Sequence, residues 1–367
     1  MALNFRFAVV SDLHIALPST IWEHPSRFHL VEVSIPALEQ VLTHLAQLDL
    51  DFLLLPGDLT QHGEPENHCW LATRLSQLPF PTYVIPGNHD VPRLFASQES
   101  IGLADFPAYY HKFGYSDPYQ LYYTCEVLPG LRLIGLNSNQ FDDQGNQLGC
   151  LDEAQLQWLG QVLEDAREEM IMVMVHHNVV EHLPNQAHNP LGRRYMLDNA
   201  AALLQILQKA KVELVFTGHL HVQDIARWQN VYDITTGSLV SYPHPYRVIN
   251  LHTDEQGKRS LHIESSRVAA VPEFPQLQEF SREWMADRSQ PFMLKLLTQS
   301  QLGLSLASAE AIVPHFRYFW ADIAGGDAVF EFPGLPASVS RHFASFGAID
   351  HEGKLAPIDN CTTLYLS

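Results

Sequence analysis

This sequence of 367 residues has few cysteines, no long apolar run and no recognisable secretory leader. Cysteine occurs four times, without a Cys-x-x-Cys pair, at Cys69, Cys125, Cys150 and Cys361. Such scattered cysteines are typical of buried free thiols in a reducing compartment. No stretch approaches the roughly 18 apolar residues of a membrane span, and the N-terminus lacks a basic start and a small-residue cleavage site. We therefore expect a cytoplasmic protein without a membrane segment.

Basic residues are also scarce. Lys and Arg number 22 against 41 Asp and Glu, which gives a formal net charge of −19. A surface of this sign repels nucleic-acid phosphates and anionic membranes at long range, which disfavours both as partners. Bound divalent cations would reverse the sign locally, so a small anionic substrate is compatible with the composition.

The apolar residues that are present predict an α/β fold. Short β-branched runs alternate with helix-period segments such as residues 34–48 and 152–169, which indicates a sheet covered by helices. After His221 the runs follow one another with short turns, which favours antiparallel strands. A proline-bearing boundary near residue 270 predicts a catalytic domain over 1–268 and a mixed α+β extension over 269–367, acting as a lid or an oligomerisation element.

Polar side chains follow five of the apolar runs at the point where each run ends. They are Asp12 and His14, Asp58, Asn88 and His89, His176 and His177, and His219 and His221. The carboxyl ends of strands form the ligand crevice of open α/β sheets. Residues i and i+2 of extended backbone point the same way, so Asp12 with His14 and His219 with His221 are predicted donor pairs. A glycine comes before three of these sites, at Gly57, Gly87 and Gly218, which suits sharp turns.

The donor set restricts the metal. It contains imidazoles, carboxylates and one amide but no suitably placed thiol, which favours Mn, Fe, Zn or Co over Ca or Mg. Seven ligands are too many for one catalytic ion with an open position. They fit two ions that share a bridging carboxylate.

The ordered motifs Asp12-Leu13-His14, Gly57-Asp58, Gly87-Asn88-His89-Asp90, His176 and Gly218-His219-Leu220-His221 resemble those of the calcineurin-like metallophosphoesterase superfamily. The His176-His177 pair and residues 149–159 are similar to its bacterial cyclic-nucleotide and glycerophosphodiester phosphodiesterase branch. The resemblance implies a four-layer αββα sandwich of two mixed sheets. It also implies two divalent metal ions. Their implied ligands are Asp12, His14, Asp58 and His221 for one ion, and Asp58, Asn88, His176 and His219 for the other.

Further side chains near these motifs receive roles of their own. His89 is the predicted catalytic residue, which protonates the leaving alkoxide or stabilises the transition state. Asp90 either orients a histidine or metal-bound group or caps the turn at 91–92. His177 is expected to pack or to support a ligand rather than to react. Other loop histidines are interpreted as solvated: His24, His29, His62, His182 and His188. The aromatic residues of 104–123 are interpreted as packing rather than nucleobase stacking.

The resulting functional hypothesis is a metal-dependent phosphodiesterase that acts on small diesters, 3′,5′-cyclic nucleotides first and glycerophosphodiesters second. A phosphomonoesterase or pyrophosphohydrolase of the same superfamily is the alternative. A non-catalytic scaffold is disfavoured because every predicted ligand is present. A homo-oligomer is left open.

Overall fold

The computed structural model describes residues 3–22, 27–299, 302–349 and 354–367. Its strands are β1 (Phe5–Val9), β2 (Phe52–Leu55), β3 (Thr82–Val84), β4 (Tyr123–Leu128), β5 (Leu131–Gly135), β6 (Asn139–Phe141), β7 (Gln147–Gly149), β8 (Met170–Met174), β9 (Leu214–Thr217), β10 (Asp224–Trp228), β11 (Val231–Thr235), β12 (Pro245–Thr253), β13 (Arg259–Arg267) and β14 (Cys361–Leu366). Its α-helices are α1 (Ser34–Leu45), α2 (Pro65–Leu75), α3 (Phe106–Tyr109), α4 (Glu153–Asp165), α5 (Pro190–Arg193), α6 (Ala200–Lys209), α7 (Leu277–Gln299), α8 (Leu306–Ile312), α9 (Phe319–Ala324) and α10 (Ala337–Ala344).

Two mixed sheets form the centre of the molecule. The first has the order β14-β13-β12-β1-β2-β3, in which β1, β2 and β3 are parallel and the other pairs are antiparallel. The second has the order β10-β11-β9-β8-β5-β4, with antiparallel pairs only at its two edges. The strands β6 and β7 form a separate hairpin.

The two sheets pack face to face through aromatic side chains. Phe7 of β1 stacks on Phe52 of β2 with ring centroids 4.9 Å apart. The same ring meets the edge of Phe216 on β9 of the second sheet at 5.5 Å. Such pairs add to the stabilisation that burial of the rings provides. The sheets therefore form the two inner layers of a sandwich.

Helices form the outer layers. The predicted stripe of α1, which includes Leu38, Val41 and Leu45, is buried in the same core as the first sheet. On the other side, α4 and α6 pack against outward-facing residues of the second sheet. Asp152 caps α4 by accepting a hydrogen bond from the backbone of Gln155. The four-layer prediction is thus confirmed.

Most predicted strands are present, but one prediction needs correction. The runs after His221 do not all continue one antiparallel sheet, because β11 belongs to the second sheet and lies parallel to β9, whereas β12 and β13 form an antiparallel pair in the first sheet. The cysteines are free as predicted. The expectation that they are buried is wrong, since Cys69 and Cys361 are exposed and the other two are half-buried.

The C-terminal region is built on α7, which contains Pro291, and on the shorter helices that pack with it in a third apolar cluster. The chain then returns to the first sheet, where β14 pairs with β13. The division at residue 268 stays a prediction. Among the described residues, no helix combines the length and apolar character needed to cross a membrane.

Candidate metal centre

The predicted ligands follow strands whose carboxyl ends meet at one edge of the two sheets. β1 and β2 are parallel neighbours, so the loops that carry Asp12, His14 and Asp58 lie side by side. Amide hydrogen bonds join these loops, from Asp12 to the Gly57 carbonyl and from His14 to the Asp58 carbonyl. The ligands of the first two strands are therefore positioned by the sheet itself.

Much of this backbone is left-handed rather than extended. Five of the seven predicted ligands have φ between 42° and 67°: Asp12, His14, Asp58, His219 and His221. Left-handed φ is uncommon for residues other than glycine and occurs often at functional sites. The sequence predicts two donor pairs because residues i and i+2 of an extended strand point the same way. That reason is wrong, since the backbone here is not extended. His219 and His221 even join different groups of donors.

Two glycines make room for the donors. A Cβ on Gly87 would lie 2.2 Å from Oδ1 of Asp58, and one on Gly57 would lie 2.5 Å from Nδ1 of His176. Gly57 also has a φ of 98°, which glycine adopts without strain. Glycine at these positions therefore lets backbone and donor side chains approach closely.

The first group of donors contains Asp12, His14, Asp58 and His221, whose donor atoms all lie within 4.8 Å of one another. Nε2 of His221 is 3.1 Å from Oδ1 of Asp12, and Nε2 of His14 is 3.8 Å from Oδ2 of Asp58. Spacings of this size are those of atoms that can face one cation.

The second group contains Asp58, His176 and His219, again with donor atoms within 4.8 Å of one another. Nε2 of His176 lies 3.3 Å from Oδ2 of Asp58 and 3.2 Å from Oδ1 of Asn88. Asp58 is common to both groups. The structure thus brings all seven predicted ligands together, in two groups that share Asp58, and their role as ligands stays a prediction.

The donors carry the marks of a cation site. Both ring nitrogens of His14 and Oδ2 of Asp58 are buried without a hydrogen-bond partner, which is costly for polar atoms unless a bound ion satisfies them. Burial, reinforced by the neighbouring histidines, holds the pKa of His14 well below its usual value. His14 is therefore neutral, the form that binds metals. A pair of divalent ions fits these residues.

Backbone carbonyls orient two of the imidazoles. Nδ1 of His176 donates to the Pro56 carbonyl at 2.9 Å, and Nε2 of His219 donates to the Arg194 carbonyl at 3.2 Å. Because a carbonyl only accepts, each contact fixes the tautomer and leaves the other nitrogen with a free lone pair. Burial lowers the pKa of His176, but the Asp58 carboxylate outweighs burial and raises it to about 9, so without an ion Nε2 of His176 also carries a proton, which a bound cation would replace.

His89 lies beside the donors and lines the adjoining cavity. Its backbone amide donates to Oδ1 of Asp58 at 2.8 Å. Its Nδ1 donates to the Gln61 carbonyl at 2.8 Å, so Nε2 is the nitrogen left for a substrate. The role of His89 as the catalytic residue stays a prediction.

Asp90 has a role that neither alternative described. Its carboxylate accepts hydrogen bonds from the backbone amides of Leu59, Thr60 and Gly87. Its carboxylate contacts no histidine among the described residues, although its backbone carbonyl lies 3.2 Å from Nε2 of His68. The carboxylate caps the Gly87–Asp90 turn rather than the turn at residues 91–92. Burial and the nearby Asp58 raise the pKa of Asp90 to about 7, although the hydrogen bonds from these amides act to lower it. Asp90 therefore ties the loop after β2 to the loop after β3.

His177 is buried next to the centre. Its Nδ1 lies 2.7 Å from the Ser138 hydroxyl, and its ring centroid is 4.4 Å from that of His219. Burial, followed by the charge of His176, lowers the pKa of His177 to about 3. These contacts match the predicted packing and supporting role.

The loop histidines do not all behave as predicted. His62 and His188 are exposed, and His24 lies outside the described residues. His29 is instead a member of a donor group with His14 and His221, so its interpretation as a solvated residue is wrong. His182 is also misassigned, because its side chain is fully buried between two carboxylates.

The aromatic segment 104–123 packs rather than binding at the site. Phe106, Tyr110 and Tyr115 are buried and contact one another, and the Tyr110 hydroxyl lies 2.9 Å from Nδ1 of His68. None of these residues lines the cavity at the metal centre. The prediction of packing is confirmed.

A cavity of about 610 Å³ opens onto the donors. Its lining includes Asp58, His89 and His219 together with side chains from α7, α9 and the segment after α10. This volume suits a small ligand. The C-terminal region thus forms part of the candidate site, which no sequence motif had indicated.

The sequence model of the calcineurin-like phosphoesterase family matches residues 5–223. The chain is similar to the probable glycerophosphodiester phosphodiesterase GpdQ of Arcobacter nitrofigilis, at 27% identity over 235 residues, which is 62% of this chain and 76% of the relative. It is also similar to the 3′,5′-cyclic adenosine monophosphate phosphodiesterase CpdA of Escherichia coli (strain K12), at 26% identity over 229 residues, 62% of this chain and 74% of the relative. A solved dimetal phosphatase from Danio rerio superposes with a TM-score of 0.52 at 16% identity and covers 72% of this chain and 96% of that one. At this identity the structural likeness shows the fold alone.

Proposed function

The chain belongs to the calcineurin-like phosphoesterase family, and we propose that it is a phosphodiesterase that uses two divalent transition-metal ions to hydrolyse small diesters. The observation that carries the proposal is the sharing of Asp58 by two groups of donors. We assign one ion to Asp12, His14, Asp58 and His221. The other ion is assigned to Asp58, Asn88, His176 and His219.

The chemistry divides between the ions and the chain. Two divalent ions at such a site act as Lewis acids toward phosphoryl oxygens and make water a nucleophile near neutral pH. The chain's carboxylates and imidazoles fix the positions of the donors. The adjoining cavity holds the organic part of the ester away from bulk water.

His89 supplies the proton for the leaving group. Its Nδ1–H is held by the Gln61 carbonyl, so a proton on Nε2 is the one that can reach the departing alkoxide. General acid catalysis of this kind contributes roughly 10²–10⁴-fold to the rate. Asp90 and His177 position other groups and do not react. Asp90 holds the loop backbone, and His177 packs against the ring of His219.

The substrate class is supported by the names of the relatives. One is named a glycerophosphodiester phosphodiesterase and another a cyclic adenosine monophosphate phosphodiesterase. Small diesters, with 3′,5′-cyclic nucleotides first and glycerophosphodiesters second, are therefore the proposed substrates. The net charge of −19 favours small molecules over nucleic acid. The same proposal includes Mn, Fe, Zn or Co as the metal, a cytoplasmic location and a homo-oligomer.

A panel assay with Mn²⁺ tests the reaction type. The substrates are bis-p-nitrophenyl phosphate, p-nitrophenyl phosphate, 3′,5′-cyclic AMP and glycerophosphocholine. We expect turnover of diesters at rates above that of the monoester. Turnover of p-nitrophenyl phosphate alone would move the protein to the monoesterases.

The His89→Ala variant tests the proton donor. We expect a rate loss of roughly 10²–10⁴-fold with two ions still bound per chain, because the backbone amide that contacts Asp58 survives the substitution. The exposed His188 provides a control variant, His188→Ala, with wild-type rate. Loss of metal from His89→Ala would make His89 a structural support rather than an acid.

A further inference from the structure

One wall of the cavity is apolar and comes mainly from the C-terminal region. Its members are Val222, Met285, Phe292, Leu296, Trp320 and Phe346, which we call the apolar wall. On α7, residues 285, 292 and 296 are spaced by seven and four, so they lie on one face of the helix. Phe292 meets Trp320 edge to face with centroids 5.1 Å apart. The wall is therefore a packed surface rather than a set of loose side chains.

The apolar wall is continuous with the metal centre. Leu220 lies between the donors His219 and His221, and it packs with Val222 and Leu296 in one apolar cluster. Leu220 and the wall residues line the same cavity as Asp58 and His89. A molecule whose phosphoryl group faces the donors thus has its organic group beside this wall.

Most of the apolar wall lies outside the region that the family model matches. The family match ends at residue 223, whereas all but one of the wall residues lie beyond that point. None of the six carries a charge or a hydroxyl group. From this we infer that the substrate is a phosphoester whose organic group is hydrocarbon-like, an alkyl or acyl chain, seated against the apolar wall. The inference rests on the proposed hydrolysis of phosphodiesters and changes the order of its substrates, because it places a diester with an alkyl or acyl chain ahead of 3′,5′-cyclic nucleotides, whose ribose and base are polar.

A series of n-alkyl phosphates tests the wall. Methyl, butyl and octyl phosphate are measured as competitive inhibitors of bis-p-nitrophenyl phosphate hydrolysis with Mn²⁺, below their micelle concentrations. Burial of each added methylene should lower the inhibition constant by about 4-fold. Glycerol phosphate is the polar comparator for butyl phosphate, and we expect it to bind at least about 10-fold more weakly.

Two variants of α7 locate the effect. Phe292→Asn should reduce the gain per methylene to less than about 1.5-fold while methyl phosphate binds as before, which also shows that the fold is intact. Phe280→Asn is the matched control on the same helix, because Phe280 is exposed and packs on Phe274 and Trp284 outside the cavity. The gain in affinity per methylene in Phe280→Asn should equal that of the wild type.

The outcomes separate the two proposals. A flat series, or glycerol phosphate binding as tightly as butyl phosphate, overturns the apolar wall as a substrate site while the measured hydrolysis leaves the proposed function standing. If no diester is hydrolysed, the proposed function fails. Calorimetric titration with the same phosphates then measures their dissociation constants directly, which tests the apolar wall without any need for hydrolysis.

A separate observation concerns His29, which lies in the loop between β1 and α1. The ligand atoms of His29, His14 and His221 lie within 4.8 Å of one another. The His29 ring centroid is 4.0 Å from that of His14 and 4.8 Å from that of His221. This imidazole therefore borders the donor group that contains Asp12.

Contacts on both sides hold the segment around His29. The Leu30 amide donates to the Val240 carbonyl at 2.8 Å. On the other side, α7 reaches the loop through Nε1 of Trp284, which donates to the Phe28 carbonyl at 3.0 Å. Nε of Arg288 donates to the Arg27 carbonyl at 2.9 Å. The backbone on both sides of His29 is therefore fixed by hydrogen bonds to other parts of the fold.

We propose that His29 is an additional ligand, on the side of His14 and His221, of the ion assigned to Asp12, His14, Asp58 and His221. The family motifs do not include it, since it lies outside Asp12-Leu13-His14 by 15 residues. A third imidazole would strengthen binding of a borderline metal such as Zn, Co or Mn at this one position.

Metal binding, not turnover, tests this ligand. His29→Ala is titrated with Co²⁺ and Zn²⁺, with bound metal measured by elemental analysis and the Co²⁺ visible spectrum recorded. We expect one ion to bind at least about 10-fold more weakly, with a changed Co²⁺ spectrum, and the second ion to be retained. The control is His62→Ala, which removes an exposed imidazole of the same cavity. Two ions bound with wild-type affinities and spectrum in His29→Ala would overturn the proposal.

Discussion

The buried histidine His182 shows how this chain uses imidazoles away from the metal centre. Its Nδ1 donates to Asp224 at 2.6 Å, and its Nε2 lies 3.3 Å from Asp233. Burial alone would lower the pKa of His182, but Asp233 and Asp224 outweigh burial and raise it to about 10. Because Asp233 also accepts the amides of Val179 and Val180, the ion pair anchors the loop that follows the ligand His176.

Replacement of His182 by Gln should destabilise the protein in a pH-dependent way. The unfolded pKa is about 6.5, so the native state holds an extra proton between about pH 6.5 and 10. The stabilisation is therefore complete below about pH 6.5 and is lost as the pH rises toward 10. We expect wild type to exceed His182→Gln in unfolding free energy by roughly 2–4 kcal/mol at pH 6. Urea unfolding between pH 6 and 9.5 measures the difference, which should shrink with rising pH.

The exposed His188 again offers a control, since its replacement by Gln should leave the unfolding free energy unchanged within about 0.5 kcal/mol at every pH. A difference for His182→Gln that is constant from pH 6 to 9.5 would contradict a protonated His182. A difference that grows with pH would contradict the sign of the argument.

Single residues also mark the limit of what the sequence could predict. The clustering of the seven predicted ligands could be predicted because each follows an apolar run and several follow a glycine. The place of His29 could not, because it depends on Trp284, which contacts the neighbouring Phe28 across 256 residues of sequence. The role of Asp90 was missed for a related reason: its carboxylate binds amides of a different loop, 30 residues away in the case of Thr60.

At the scale of elements, the loops after β2 and β3 depend on glycine. We expect Gly87→Ala to displace Asp58, because the added methyl would lie 2.2 Å from Oδ1 and 2.3 Å from the amide nitrogen of Asp58. Since Asp58 is shared by both donor groups, both ions should be weakened, by roughly 10-fold or more. Zn²⁺ titration with a competing chelator measures this loss.

Gly160 is the matched control for that substitution. It lies inside α4, and a Cβ there would meet nothing within 4 Å among the described residues. Gly160→Ala should raise the unfolding free energy by about 0.5–1 kcal/mol, because glycine is a poor helix former. Metal affinity should not change. If Gly87→Ala binds metal as tightly as Gly160→Ala does, the close packing of the two loops does not control the centre.

The positions of the strands could be predicted more readily than the way the strands pair into sheets. Apolar runs correctly indicated the five strands that precede the predicted ligands, since strands buried on both faces need apolar residues throughout. The sheet to which β11 belongs could not be predicted, because its alternating pattern fits either sheet. The left-handed backbone at Asp12 and His14 could not be predicted either, since Asp and His adopt positive φ more often than most residues but far less readily than glycine.

At the scale of the whole molecule, Arg247 connects parts that are distant in sequence. It is fully buried on β12, in the first sheet. Its guanidinium donates to the Thr235 carbonyl of β11, in the second sheet, at 2.9 Å. It also donates to the carbonyl of Asp359, just before β14. Burial lowers the pKa of Arg247 to about 10, against the pull of Asp359 and other carboxylates, so the group is charged at neutral pH.

This position of Arg247 predicts a large loss of stability when it is replaced. In Arg247→Met the carbonyls of Thr235 and Asp359 lose their donor, at roughly 1–3 kcal/mol each, while removal of a buried charge offsets part of that cost. We therefore expect the unfolding free energy to fall by about 2–4 kcal/mol, measured by urea unfolding at pH 7. Arg167→Met is the control, because the Arg167 side chain is 70% exposed and its ion-pair distances are 3.6 and 3.7 Å, so its loss should cost under about 1 kcal/mol. Amide hydrogen exchange tests whether Arg247 connects the two sheets and the C-terminal strand or makes only a local contact. In Arg247→Met, exchange in β14 and in β11 should accelerate together, because the one side chain contacts both. Acceleration of only one of these strands would mean that the two sheets and the C-terminal strand are joined by other contacts.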